Sequence, residues 1–294
     1  MSGPGALACG LATVDVVHVV DHVPAADEKV VAHSTTVSAG GPALNAALTA
    51  ALLGVGTRLV SAVGSGPLAA VVARDYASCG VALVDVAPVG FEPPVSSGLV
   101  TRQTGERAVV SRNAVGTVDY QAPSPRRVEE WLDGVSAVLV DGHHLPVALA
   151  VVQEARRRVV PVLLDGGSWK PGLEELLPYV DVAVVSDAFA VPGGGGRHGD
   201  GLTGLLDLGP WWAARTAGPR PVRWAGRDGT SGEVPVPELD VVDTLGAGDV
   251  LHGALLAEVA RGGTTDLPGA LAAAVGVATR SVAFRGVRGW AEHR

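Results

Sequence analysis

Short apolar runs and helical patterns take turns along most of this chain, and that alternation constrains its fold more than any other feature. Residues 5–11, 58–63, 81–86, 137–141, 159–165 and 181–186 read as buried strands, because each is a short run of Val, Leu and Ala without alternating polar positions. Between them, residues 43–53, 67–78, 146–157 and 171–177 read as helices, several of them opened by Pro, which suits a first helical turn. Strand–helix alternation predicts an α/β fold with a mostly parallel sheet covered by helices on both faces. With 294 residues the chain is near the upper limit for one hydrophobic core, so one large domain with a small appendage is expected. Only 4% of residues are aromatic while 47% are hydrophobic, so the helices must pack on the sheet through small and branched side chains.

Two segments break the rhythm. Residues 14–38 are extended and β-branched, and residues 97–112 repeat that behaviour around Thr104-Gly105. They read either as strands that leave the main sheet to form a small lid or as two ordinary surface hairpins. Residues 192–201 include four consecutive Gly and read as a mobile loop. No Lys-Ser or Lys-Thr follows, so this is not a phosphate loop.

Charge and cysteine content exclude several classes. A formal net charge of −8 argues against a nucleic-acid surface, which needs clustered Lys and Arg. The two cysteines, Cys9 and Cys79, form no metal-binding or disulfide pattern. The longest uncharged stretch, 33–57, is interrupted by Gly and Pro and makes a poor membrane span. No basic, apolar leader opens the sequence, so a cytoplasmic location is expected.

The most informative stretch is Asp243-Thr244-Leu245-Gly246-Ala247-Gly248-Asp249, which runs into a helix over 250–261. The small residues therefore sit at a helix N-terminus, where free amides and the helix dipole attract anions. Glycine lets a phosphate approach the backbone closely. Asp249 stands beside that cradle, where a carboxylate can take a proton from an attacking hydroxyl. Alternatively, the glycines form only a tight turn and Asp249 only favours the dipole. A second segment, Gly40-Gly41-Pro42-Ala43-Leu44-Asn45, also turns sharply into a helix, and Asn45 offers a donor and an acceptor one turn in. Asp15 lies on an otherwise apolar strand, where an unpartnered carboxylate would be costly. Asn45 and Asp15 taken singly also suit structural roles.

Together these segments resemble the ribokinase-like (PfkB) carbohydrate and nucleoside kinases. The 243–249 segment is similar to that family's C-terminal signature and 40–45 to its N-terminal one. Asp15-Val16 and Asp21-His22-Val23-Pro24 resemble its opening strand and lid. The resemblance implies a ribokinase-like three-layer sandwich with a small β-lid, one kinase domain over 1–294, and transfer of a phosphoryl group from ATP to a sugar-like hydroxyl. It implies Asp249 as base, with the amides of Gly246, Ala247 and Gly248 stabilising the moving charge. Asp15, Gly41 and Asn45 would hold the acceptor, and Thr216 and Gly218 the nucleotide. Mg²⁺ would arrive with ATP, Asp243 and the 285–289 loop would lie near a monovalent cation such as K⁺, and a homodimer would form through the lid.

The chain departs from the family at Ser186-Asp187-Ala188-Phe189, where many relatives carry Asn-x-x-Glu. Asp187 is the nearest acidic substitute. Pro219-Arg220-Pro221 likewise replaces the usual glycine-rich continuation after Gly218. Arg102, Arg107 and Arg112 near the second lid segment could reach an acidic substrate, and His143 and His144 could line the cleft. Two other functions fit the alternation: a non-catalytic sugar or nucleotide sensor on the same fold, and a dinucleotide-dependent oxidoreductase. No G-x-G-x-x-G follows the first strand, which counts against the oxidoreductase.

Overall fold

The computed structural model describes residues 3, 5–103, 107–112, 121–192 and 201–293. Most of the Gly-rich loop over 192–201 lies outside the described residues, as do Thr104 and Gly105. The main sheet has nine strands. They are β1 (Gly5–Cys9), β4 (Gly56–Ser61), β5 (Ala82–Asp85), β8 (Val135–Val140), β9 (Val162–Gly166), β10 (Val182–Ser186), β11 (Trp212–Ala217), β12 (Arg220–Gly226) and β13 (Ser231–Val234), in the order β13-β12-β11-β10-β9-β8-β1-β4-β5. Strands β11 through β5 are parallel, and β12 and β13 join antiparallel at one edge.

The apolar strand runs are continuous because both faces of the sheet are buried. Ala6, Ala8, Ala137, Leu139, Val182 and Val184 point into one core, while Leu7, Cys9, Val138, Val140, Ala183 and Val185 point into the other. Helices α1 (Pro42–Leu52), α2 (Pro67–Ser78), α7 (Ala247–Gly262) and α8 (Leu267–Ser281) cover the first face. Helices α3 (Pro125–Trp131), α4 (Leu145–Arg157), α5 (Leu173–Leu176) and α6 (Leu202–Leu206) cover the second. The expected α/β sandwich is therefore present, with helices on both sides of a mostly parallel sheet.

Four further strands, β2 (Thr13–Val20), β3 (Ser34–Gly40), β6 (Val95–Thr101) and β7 (Arg107–Ser111), form a separate sheet in the order β3-β2-β6-β7. The two segments that break the strand–helix rhythm thus pair with one another instead of forming separate hairpins, β2 lying parallel to β6.

Several expectations need correction. The 159–165 strand starts later, at Val162, because Val159 sits in a left-handed turn (φ 58°) that closes α4. The helix expected over 171–177 is only the four residues of α5, continued by a 3-10 turn over Leu177–Tyr179 that Pro178 accommodates. Helix α8 and strands β11–β13 had no counterpart in the pattern reading. In β12, which lies between β11 and β13, Arg220 and Arg223 interrupt the apolar residues, so the strand lacks the continuous buried run of the central sheet.

The sheet order reverses between β1 and β8, from which the chain winds outward in both directions. In open α/β sheets, ligands bind beyond the carboxyl ends of the strands at such a switch point. Above it, α7 packs on α1 at Gly253. A Cβ there would come within 2.4 Å of the Ala46 carbonyl oxygen and 2.6 Å of the Thr49 Cβ. We expect Gly253→Ala to cost about 1–3 kcal/mol, the usual range for overpacking, because the first contact is rigid helix backbone. Urea unfolding checks this; an unchanged midpoint would mean that the two helices separate freely.

Candidate active site

The first turn of α7 is set by its approach. Asp243 accepts an amide bond on each carboxylate oxygen, from Leu245 N and from Gly286 N, both at 2.9 Å. This ties the 243–246 turn to the loop over 285–289. Gly246 caps the helix in the left-handed region (φ 73°), and a side chain there would also strike Val287. The Ala247 amide reaches back to the Thr244 carbonyl at 3.3 Å. Among the described residues no partner is found for the amides of Gly246 and Gly248, so these two remain available to an anion.

Asp249 lies half-buried in that first turn. Asn45, from the first turn of α1, donates from Nδ2 to Asp249 Oδ2 at 2.6 Å across 204 residues of sequence. Burial pushes the Asp249 carboxyl up to about 7, and the neighbouring charges of Asp165 and Asp15 push the same way, while Asn45 and His252 pull against them. Asn45 is 4% exposed, and its Oδ1 has no hydrogen-bond partner. A buried acceptor left open is costly unless a ligand completes it.

Asp15 stands at the near end of the second sheet. It accepts a 2.7 Å bond from Thr13 Oγ1, and burial raises its carboxyl above the ordinary value. With Val17, Ser96, Gly98, Val100, Val109 and Leu245 it lines a pocket between that sheet and the turn leading into α7. Gly40 must be small here, since a Cβ would overlap the Asp15 carboxylate. Gly41 caps α1 with φ 98°, and a Cβ would come within 2.5 Å of the Leu11 carbonyl.

The structure thus gathers Asp15, Gly41, Asn45 and Asp249, together with the cradle, at the switch point. Thr216 and Gly218 sit apart, at the end of β11 and in the turn after it, with Thr216 Oγ1 3.5 Å from the Val185 carbonyl. Asp187 is exposed and pairs with Arg220 at 2.7 Å. Arg102 pairs with Asp21 at 3.6 Å and is not among the lining residues of the pocket. Arg112 is exposed, and the side chain of Arg107 lies outside the described residues.

Three buried groups at the site were not singled out from the sequence. Asp141, after β8, accepts from the amides of Leu11 (2.8 Å), Ala43 (3.3 Å) and His143 (2.9 Å), which locks the β1–β2 connection to the start of α1. Burial alone would raise its carboxyl, but the adjacent His143 imidazole, 3.1 Å away, Lys170 and the Leu11 amide outweigh it and hold the group well below the usual range. His143 therefore serves Asp141, while His144 caps α4 in the left-handed region (φ 53°). Asp165 and His252 lie beneath Asp249. Asp141 and Asp165 share one legible signal: each is a lone acid at the carboxyl end of an otherwise apolar strand run.

Among the described residues no group of three or more His, Cys, Asp or Glu is placed to hold a metal ion. No helix among them is long and apolar enough to cross a membrane.

The model of the pfkB family of carbohydrate kinases matches residues 5–292. A crystal structure from Agrobacterium tumefaciens, provisionally assigned as a ribokinase, is 26% identical, with a TM-score of 0.85 over 99% of this chain and 96% of that one. The Giardia lamblia ribokinase superposes with a TM-score of 0.82 at 18% identity, over 99% and 96% of the two chains. Arabidopsis thaliana ribokinase, complexed with ribose and ATP, gives 0.78 at 19% identity, over 97% and 94%.

Proposed function

Because the chain belongs to the pfkB family of carbohydrate kinases, we propose that it transfers the terminal phosphoryl group of ATP to a hydroxyl of a sugar or sugar-like molecule at the site around Asp249. The observation that carries this reading is the pairing of Asp249 with Asn45, whose own Oδ1 is buried and open. A base held near neutrality, a vacant acceptor beside it and an anion cradle one residue away together suit a hydroxyl nucleophile and a phosphate.

In this reading Asn45 Oδ1, Asp15 and the backbone at Gly41 hold the acceptor's hydroxyls. Asp249 takes the proton from the attacking hydroxyl as the new oxygen–phosphorus bond forms. The amides of Gly246 and Gly248, at the positive end of α7, face the charge on the transferring group. Thr216 and Gly218 bind the nucleotide, and ADP leaves with the electron pair of the broken bond. Mg²⁺ neutralises phosphate charge when it comes bound to ATP. No cluster of side chains among the described residues would hold it independently, and Asp187 is occupied by Arg220. Asp243 keeps a second acceptor position on each oxygen, which a K⁺ ion could share.

The described lining of the acceptor pocket contains Asp15 and Ser96, whose oxygens suit the hydroxyls of a polyol. On the opposite face of the second sheet, Val37, Val95 and Val110 stay exposed, a surface suited to a second copy of this chain. The alternative of a non-catalytic sensor draws no support from a carboxylate poised as a base.

The test is a phosphorylation screen with Mg²⁺-ATP over neutral sugars, sugar phosphates and nucleosides, followed by kinetics of Asp15→Ala. Losing a charged hydrogen bond, worth about 1.5–3 kcal/mol, should reduce acceptor kcat/KM roughly ten- to hundred-fold while leaving the ATP constant nearly unchanged. Turnover should fall too, because a loosely held hydroxyl is poorly aligned. An effect on ATP alone would mean that the acceptor site is placed wrongly, and tight sugar binding without any phosphorylation would favour the sensor.

A further inference from the structure

Two buried titratable side chains beneath the cradle take no part in the steps above: Asp165 on β9 and His252 in the second turn of α7. They are 5% and 6% exposed. The imidazole of His252 is held between two carbonyl groups. Its Nδ1 lies 2.7 Å from the Gly248 oxygen, and its Nε2 lies 3.0 Å from the Val184 oxygen on β10. A carbonyl oxygen only accepts, so each contact is a hydrogen bond only when that ring nitrogen carries a proton. Neutral imidazole has a single N–H and would leave a lone pair facing the other oxygen. The imidazolium satisfies both. An isolated charge so deeply covered would be costly, but Asp165 Oδ2 lies 3.4 Å from Nδ1 and has no hydrogen bond of its own. Burial raises the Asp165 carboxyl above its ordinary value, and the charge of His252 pulls against that.

We propose that His252 and Asp165 form a buried imidazolium–carboxylate pair that holds the first turn of α7 in place and sets the proton affinity of Asp249. Both are positioning residues, and their effect on turnover rests on the kinase reading above. The mechanical part follows from the Gly248 carbonyl, which belongs to the same peptide plane as the Asp249 N–H. Clamping it fixes both the cradle and the base. The electrostatic part follows from opposite charges. His252 favours the ionised form of Asp249, whereas Asp165 disfavours it.

Few other charges face this group. Asp15 approaches Asp249 from β2, and Asp141, His143 and Lys170 lie near Asp165. Helix α1 and strands β1, β8 and β10 carry no Asp, Glu, Lys, Arg or His, and α8 contributes only Arg280 in its last turn.

The two charges make opposite predictions. Removing the positive charge in His252→Gln raises the proton affinity of Asp249, and removing the negative charge in Asp165→Asn lowers it. Each shift should be roughly one pH unit for charges separated by one or two helical turns in a partly screened interior. Side-chain NMR on the ligand-free protein reads this directly. In the wild type at pH 7.5, both ¹⁵N nuclei of the His252 ring should show the protonated form. The Asp249 carboxyl carbon should titrate at higher pH in His252→Gln and at lower pH in Asp165→Asn. The acid limb of kcat/KM should move the same two ways. A neutral His252 ring in the wild type, or Asp249 titrations that stay fixed or shift in one direction in both variants, would overturn the proposal. Should His252→Gln fail to fold, the wild-type ring signals and Asp165→Asn decide it. None of the NMR readings needs turnover, so a protein that phosphorylates no acceptor defeats the kinase reading while leaving the pair open to proof.

Discussion

Asp249→Asn is expected to lower turnover by roughly 10²–10⁴-fold while ATP affinity changes little. The amide keeps the size of the carboxylate and can still face Asn45, so the fold should be retained, but it cannot accept the proton of the attacking hydroxyl. The pH profile gives a second reading. Since burial and Asp165 lift the wild-type carboxyl to about 7, acceptor kcat/KM should rise through pH 6–8 as the group loses its proton and level off above. That limb should vanish in Asp249→Asn. Wild-type turnover in a folded variant, or an unchanged acid limb, would remove Asp249 from the chemistry.

Gly248→Val should be nearly as damaging for a different reason. A Cβ at Gly248 meets no protein atom within 4 Å, so valine should not clash with the fold. By intrinsic propensity valine suits a helix slightly better than glycine, so the helix itself should not be weakened. The space it fills is the one through which a phosphate would approach the two open amides. Losing one such transition-state donor usually costs at least about 10²-fold, and a raised KM for ATP should accompany the loss. Thermal unfolding close to wild type would show that the block is local. Gly246 offers no such clean test, because its left-handed backbone and the nearby Val287 would disturb the turn itself. If Gly248→Val turns over normally, the phosphates bind elsewhere.

The residues brought together at the switch point illustrate what could be read in advance. Glycines 40, 41, 246 and 248 announced two sharp turns into helices, because only glycine tolerates such turns or such close approach. The acids at 141 and 165 were visible only as the last residues of apolar runs. Nothing local distinguishes an acid that anchors three amides, as Asp141 does, from one left beside a histidine, as Asp165 is. His252 looks like any polar residue on a helix until β10 is placed against its ring. Strands β11 and β12 were illegible for a related reason: their arginines break the apolar run, and only the pairing of β11 with β10 and of β12 with β11 makes them strands.

The sequence by itself determined the alternation that builds a doubly covered sheet, the apolar runs of its central strands and the two glycine turns. These depend on side-chain period and backbone freedom, which are properties of neighbours along the chain. Tertiary structure alone decided that Asn45 meets Asp249, that the second sheet carries Asp15 to the pocket, and that a histidine and an aspartate lie together beneath the base. Proton affinity and the need for a partner depend on burial, and burial is set by the close approach of α1 and α7 at Gly253 and by the sheet below them, elements far apart in sequence.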